Sequence, residues 1–281
     1  MILMSRDQDW LIGLHHHGVM IRDHAWKLFF GECGLGRFNR RILKLKEQKL
    51  VVAFQLPLGT FAVGVEGILP NPGQLSYRLG EAGIPIVAQA LDLDITTVRR
   101  RVRTAPTYVG HCVSVAALHV AIKQFEDTQQ YRLQSFLCES ETRCRFEWRE
   151  NPHSSWKQGE VRPDALAWIE KAGESLPLLL EADMATQNKA AFITKLAGYS
   201  LATRTGALQR RCGGSPLRLG IVTTTPARLA KLAALVQASD LSGLHLVALT
   251  TFQDFTSQGP LSPIWHIPAL GDERNEKYVV L

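Results

Sequence analysis

Arg162-Pro163-Asp164, leading into Ala165-Leu166-Ala167-Trp168-Ile169, and Leu178-Leu179-Leu180-Glu181-Ala182-Asp183 decide how this chain is read. Each is a short apolar, strand-like run with acidic side chains at one end. Glu181 and Asp183 are two apart, so in a strand they point to the same face. Hard divalent cations such as Mg²⁺ take carboxylate oxygens together with waters and a phosphate. Three carboxylates gathered by adjacent strands repel one another unless a cation sits between them. The pattern suits a metal-dependent phosphodiesterase site built on Asp164, Glu181 and Asp183.

Around these runs the chain alternates strands and helices. Segments 132–137, 144–148, 165–169, 176–181, 217–223 and 244–249 are strand-like. Helical patterns span 187–209 and 226–238, the second with proline in its first turn. Such alternation predicts an α/β domain with a mixed sheet over residues 131–281. The helix after Asp183 carries Lys195 and Tyr199 one turn apart on one face. Glu139 and Glu141 are further acidic candidates at the end of an earlier element.

The first third reads differently. Trp10, Leu11 and Leu14 mark a helix ending near Gly18, and residues 21–30 form a second. A third runs from about 36 to 48, with Phe38, Ile42 and Leu45 as its buried stripe. Residues 50–54 and 74–79 are strands around a Gly- and Pro-broken stretch, 57–73. Three helices followed by a two-stranded ribbon is the winged form of the helix-turn-helix, expected over residues 1–92. Its third helix enters the major groove of double-stranded DNA, which makes Arg37, Arg40, Arg41 and Lys44 candidate DNA contacts. The plain alternative is that these charges form a solvated face. A helical connector follows over 93–130, with His111 opening its last helix. Arg99, Arg100 and Arg101, with Arg103, either grip phosphate or face solvent. His15-His16-His17 reads as a solvated helix end, because three consecutive helical residues share no face.

Composition sets few limits. The 281 residues allow two domains, and a net charge of +6 mildly favours an anionic partner. The five cysteines are odd in number with no CxxC pair, which argues against a structural zinc site or a disulfide framework. The start lacks the apolar core of a signal peptide and no run approaches a membrane span. A cytoplasmic protein is expected.

Pro163-Asp164 and Glu181-Ala182-Asp183 resemble the PD-(D/E)xK nuclease superfamily, with aspartate at the position of its lysine. The resemblance implies that Asp164 and Glu181, with Asp183, bind Mg²⁺ or Mn²⁺. In some branches the lysine lies on the following helix, a role open to Lys195. Nearly the whole chain is similar to the replication-relaxation family of plasmids and other mobile elements. The similarity rests on Tyr77-Arg78-Leu79-Gly80-Glu81-Ala82-Gly83, His111, Arg162-Pro163-Asp164, Leu180 to Thr186 with Lys195-Leu196-Ala197-Gly198-Tyr199, and Pro263-Ile264-Trp265. It implies a winged helix joined to a nuclease-like domain, with a role in plasmid replication, copy-number control or mobilisation. Three functions stay open: a Mg²⁺-dependent endonuclease that nicks or cleaves DNA, a non-catalytic replication or mobilisation factor, and a transcriptional autoregulator. Besides double-stranded DNA, the partners implied are a second copy of the chain and other plasmid or mobile-element proteins.

Overall fold

The structure, a computed structural model, describes residues 2–56, 74–102, 108–241, 244–268 and 278–279. The stretch between the two ribbon strands and Arg103 lie outside the described residues. The chain is mixed α/β and divides into two compact units, Met1–Lys123 and Gln124–Leu281.

In the first unit, α1 (Ser5–His17) starts where the Met4 amide donates to Asp7 Oδ2 at 2.7 Å and ends at Gly18. Met20–Ile21 form β1, followed by α2 (Arg22–Ala25), which widens into a π turn over Trp26–Phe30. Residue 21, expected to open a helix, is therefore in a strand, because β1 finds a partner in a distant segment. After α3 (Leu35–Glu47) come β2 (Val51–Gln55) and β3 (Leu75–Leu79). The sheet order is β1-β3-β2, antiparallel throughout, with Met20 opposite Tyr77 and Val51 opposite Leu79. Trp10 anchors the core, with Phe30 and Tyr77 edge-on at 5.6 and 5.5 Å.

α4 (Ile84–Ala90), α5 (Ile95–Val102) and α6 (Val109–Gln124) complete this unit. The expected separate connector over 93–130 does not stand apart, because Val98 and Ala116 pack in the same core as Trp10 and Phe38. The histidine run is also not a solvated end. His15 and His17 are buried, and His17 Nε2 lies 3.1 Å from His119 Nδ1.

The second unit is built on a five-stranded sheet. After α7 (Glu126–Gln129) come β4 (Arg132–Cys138), α8 (Glu139–Thr142), β5 (Cys144–Trp148) and β6 (Lys157–Val161). β7 (Ala165–Lys171) and β8 (Glu174–Asp183) lead to α9 (Lys189–Arg204) and α10 (Ala207–Arg211). β9 (Arg218–Thr223), α11 (Pro226–Gln237), β10 (Leu246–Thr251) and α12 (Phe252–Gln258) follow. The sheet order is β10-β9-β8-β7-β4. β8, β9 and β10 are parallel, and β7 and β4 are antiparallel additions. β5 and β6 form a separate hairpin.

The long helical pattern over 187–209 is broken at Gly206, whose φ of +70° is a left-handed conformation that glycine adopts without strain. Side-chain caps set the main helix starts, Asn188 for α9, Thr225 for α11 and Thr251 for α12. One sheet face packs under α9, α10 and α11 through Leu179, Leu219, Ile221 and Leu249. On the other face Trp265 approaches so closely that a Cβ at Gly220 would stand 2.8 Å from its ring. All five cysteines are buried and none forms a disulfide. Among the described residues no helix is long and apolar enough to cross a membrane.

Arg41, expected at a DNA surface, is structural instead. Its Nε donates to both oxygens of Asp7 at 3.0 and 3.1 Å, and its Nη2 donates to Ile2 O at 2.9 Å. Asp7 is 0% exposed. Removing Arg41 leaves a buried carboxylate without its cation, at a cost of about 3 kcal/mol. Arg41→Ala is expected to shift the denaturant midpoint down accordingly, whereas Arg40→Ala leaves it within about 0.5 kcal/mol of the parent.

Candidate active site

The register of β7 against β8 creates the site. Ala165 pairs with Leu180, so the preceding Asp164 stands beside Glu181. Asp164 Oδ2 accepts the amide of Ala182 at 2.8 Å and so serves β8 where β7 has not yet begun. Upstream, the Thr142 hydroxyl at the end of α8 donates to Pro163 O at 2.5 Å and fixes the approach to Asp164. Asp164 and Glu181 are each only 6% exposed.

α9 lies over this end of the strands and supplies two partners one turn apart. Lys195 Nζ contacts Glu181 Oε2 and stands 3.8 Å from Asp164 Oδ1. The Tyr199 hydroxyl donates to Glu181 Oε1. Two buried carboxylates thus share one ammonium.

The electrostatics follow from that ratio. Burial and the neighbouring Asp164 charge push the Glu181 carboxyl well above the usual range, and Lys195 and Tyr199 offset this in part. Burial works to depress the Lys195 ammonium, but Glu181 and Asp164 outweigh it and raise its pKa to about 12. Burial, then Glu181, pushes the Tyr199 phenol far up, so it stays a neutral donor.

Asp183 goes elsewhere. It shares the Glu181 face of β8, as two-residue spacing requires, but belongs to a different cluster. Arg228 on α11 grips it with Nε and Nη2, both at 3.0 Å, and the Thr223 hydroxyl donates to Oδ2 at 2.6 Å. Arg228 Nη2 also donates to Gln187 O at 3.1 Å. The expected three-carboxylate set is therefore two carboxylates around Lys195 plus a separate Asp183–Arg228 pair. Among the described residues no three His, Cys, Asp or Glu side chains form a group that could hold a metal. Glu141 caps its own helix, accepting the Cys138 amide at 3.1 Å.

Arg228 and Thr223 were not foreseen in the sequence. One signal was available. Arg228 lies in the first turn of α11, where the helix dipole disfavours a cation. An arginine there calls for a carboxylate partner.

In the first unit the basic candidates separate. Arg37, Arg40 and Lys44 are exposed on α3, on the side away from Phe38, Ile42 and Leu45. Arg99 pairs with Glu81 at 3.6 Å, Arg100 is exposed, and Arg101 Nη1 is 3.2 Å from His15 Nε2.

A family model described as Replication-relaxation matches residues 11–217. The chain belongs to the replication-relaxation family. The match takes in Asp164, Glu181, Lys195 and Tyr199 and stops before Arg228. Family membership points to a replication- or relaxation-related role. No curated protein matches the chain. A solved structure, that of protein VC1899 from Vibrio cholerae, is 14% identical, with a TM-score of 0.32 over 91% of this chain. The chain spans 55% of that protein's length.

The raised Glu181 carboxyl has a thermodynamic signature. A carboxyl whose pKa is higher folded than unfolded favours folding while it is protonated. That advantage is lost as pH rises from the ordinary carboxylate range through its folded pKa. Lys195 titrates above this window. In EDTA, Glu181→Gln is expected to be more thermostable than the parent at pH 8, with the difference shrinking towards pH 4.5. Melting curves across that range check this, and parallel curves would show that Glu181 is not the group responsible.

Proposed function

We propose that this replication-relaxation protein is a DNA-binding protein of a plasmid or mobile element. On this reading its second unit is a Mg²⁺- or Mn²⁺-dependent endonuclease that nicks or cleaves the bound DNA. The observation that carries it is the pair of buried carboxylates, Asp164 and Glu181, on neighbouring strands beside Lys195 of the following helix. Two carboxylates facing one ammonium leave excess negative charge, which fits a hard cation completed by water and phosphate oxygens. Such a cation, when bound, supplies a Lewis acid and a source of hydroxide.

The chain's own residues do the rest. Lys195 neutralises the charge that develops on the phosphate. Tyr199 holds one oxygen of Glu181 and Lys195 the other, and Asp164 and Glu181 are the residues that would hold the cation. Asp164 is held in place by the Ala182 amide, which keeps Oδ1 turned towards Lys195. In the first unit, α3 acts as the major-groove helix through Arg37, Arg40 and Lys44, with β2 and β3 as the wing.

A second reading, a non-catalytic replication or mobilisation factor or an autoregulator, is favoured by one observation. The position of the superfamily's in-line lysine is Asp183, and it is locked to Arg228.

Supercoiled DNA with Mg²⁺ or Mn²⁺ separates the two. Nicking is expected with the parent protein, none with Glu181→Ala, and a loss of roughly 10²–10³-fold with Lys195→Ala. DNA that is bound yet never cut, with either metal and on linear, supercoiled and branched substrates, decides for the scaffold. Duplex binding is tested separately. Replacing Arg37, Arg40 and Lys44 together with alanine is expected to lower affinity and flatten the slope of log K against log salt by roughly 3. An unchanged slope places the DNA surface elsewhere.

A further inference from the structure

The β5–β6 hairpin has no part in the chemistry above, yet its tip is built in an unusual way. Its inner face is ordinary, with Cys144, Phe146 and Val161 in the core under α9. Its outer charges are largely paired within the hairpin. Glu160 gathers Arg143 at 3.2 Å, Arg145 at 3.1 Å and Arg162, and Lys157 pairs with Glu150 at 2.5 Å.

The tip differs on two counts. Trp156 is 61% exposed, the largest exposure of any described aromatic side chain in the hairpin. The Arg149 guanidinium lies over its ring, 4.8 Å from the centroid, and makes no carboxylate pair among the described residues. Beside them Lys157 Nζ lies 5.0 Å over Trp148. The turn that presents these groups is fixed. The His153 amide donates to Asn151 Oδ1 at 3.0 Å, the Ser154 hydroxyl donates to Asn151 O at 3.0 Å, and Arg149 Nη1 donates to Pro152 O at 3.0 Å.

We propose that this tip is a stacking platform for an unpaired base of a DNA strand, with Trp156 as the stacking surface and Arg149 as the contact to a flanking phosphate. The inference rests on the reading of the second unit as acting on DNA and specifies the form of the substrate. An exposed indole beside an unneutralised guanidinium suits a base and its phosphate, because every base has a π-face and single-strand grooves combine aromatic stacking with cations. A protein surface would be expected to meet apolar neighbours around the indole. Here the chain neighbours Ser155 and Lys157 and the turn residues Asn151 and His153 are polar and exposed.

Placement agrees with the proposal. The far end of β6 packs on α9 at Gly198, where a Cβ would stand 3.1 Å from Val161 Cγ1, next to Tyr199 and one turn from Lys195. From Val161 back to Trp156 is five residues, or ~17 Å of extended chain. That is about five nucleotides along one strand at 3.4 Å each. A strand held at the tip and running along β6 heads for the Asp164–Glu181 end of the sheet, three residues past Val161, and the preferred substrate is DNA with a frayed, bubbled or single-stranded segment several nucleotides from the scissile phosphate.

The test uses the full chain in EDTA and the anisotropy of fluorescein-labelled dT12, with a labelled duplex alongside. Trp156→Ala is expected to weaken dT12 binding by roughly tenfold. Trp156→Phe retains most of it, and neither variant changes duplex affinity. Equal dT12 affinity for Trp156→Ala and the parent, no dT12 binding by the parent, or equal losses on dT12 and duplex would each overturn the proposal. Trp156 is exposed, so melting curves are expected to coincide and confirm that the alanine variant is folded. Because no metal is present, the readout stands whether or not the protein cuts. Failure of the platform and failure of the nuclease reading are therefore seen in different assays.

Discussion

One hydrogen bond, from the Ala182 amide to Asp164 Oδ2, organises the second unit. β8 continues past the start of β7, so its last residues are paired on one edge only, with β9. A buried amide without an acceptor there costs about 1–3 kcal/mol. The Asp164 side chain supplies that acceptor, and in doing so places a second carboxylate beside Glu181. Everything at this end of the sheet follows from it. Lys195 is drawn towards both carboxylates, Tyr199 takes the remaining oxygen of Glu181, and α9 is oriented by that pair of contacts.

The same strand shows how neighbouring carboxylates are kept apart. Glu181 and Asp183 share a face, and left alone each would raise the other's cost of ionisation. The fold assigns them separate cations from separate helices, Lys195 from α9 and Arg228 from α11. Arg228 also reaches Gln187 O, so the turn between β8 and α9 is tied to the start of α11. This end of the sheet is therefore fastened by polar contacts on three elements.

Much of this was legible in the sequence, for identifiable reasons. β7, β8 and β9 are apolar runs ended by acidic or polar residues, so their type and order could be read, and Lys195 and Tyr199 share a helical face by spacing alone. β6, Lys157-Gln158-Gly159-Glu160-Val161, could not be read, because it buries little and owes its form to pairing with β5. The partners of Asp183 and Arg41 were hidden by distance along the chain. Arg228 is 45 residues from Asp183, and Asp7 is 34 from Arg41. A periodic stripe of cations on α3 does not reveal which of them turns inward. Ile21, the last residue of β1, reads as helix in the sequence because a two-residue strand has no period of its own.

Asp164 and Glu181 are not equivalent under mutation and drift. Position 164 is held by two independent demands, an acceptor for a buried backbone amide and a negative charge beside Lys195. Position 181 has no backbone role among its described contacts. A lineage that gave up chemistry but kept the fold could replace Glu181, Lys195 and Tyr199 together by apolar residues, while an acceptor at 164 would still be needed. Within such a lineage the aspartate of Pro163-Asp164 would outlast the function it once served, and its survival alone would say nothing about cutting.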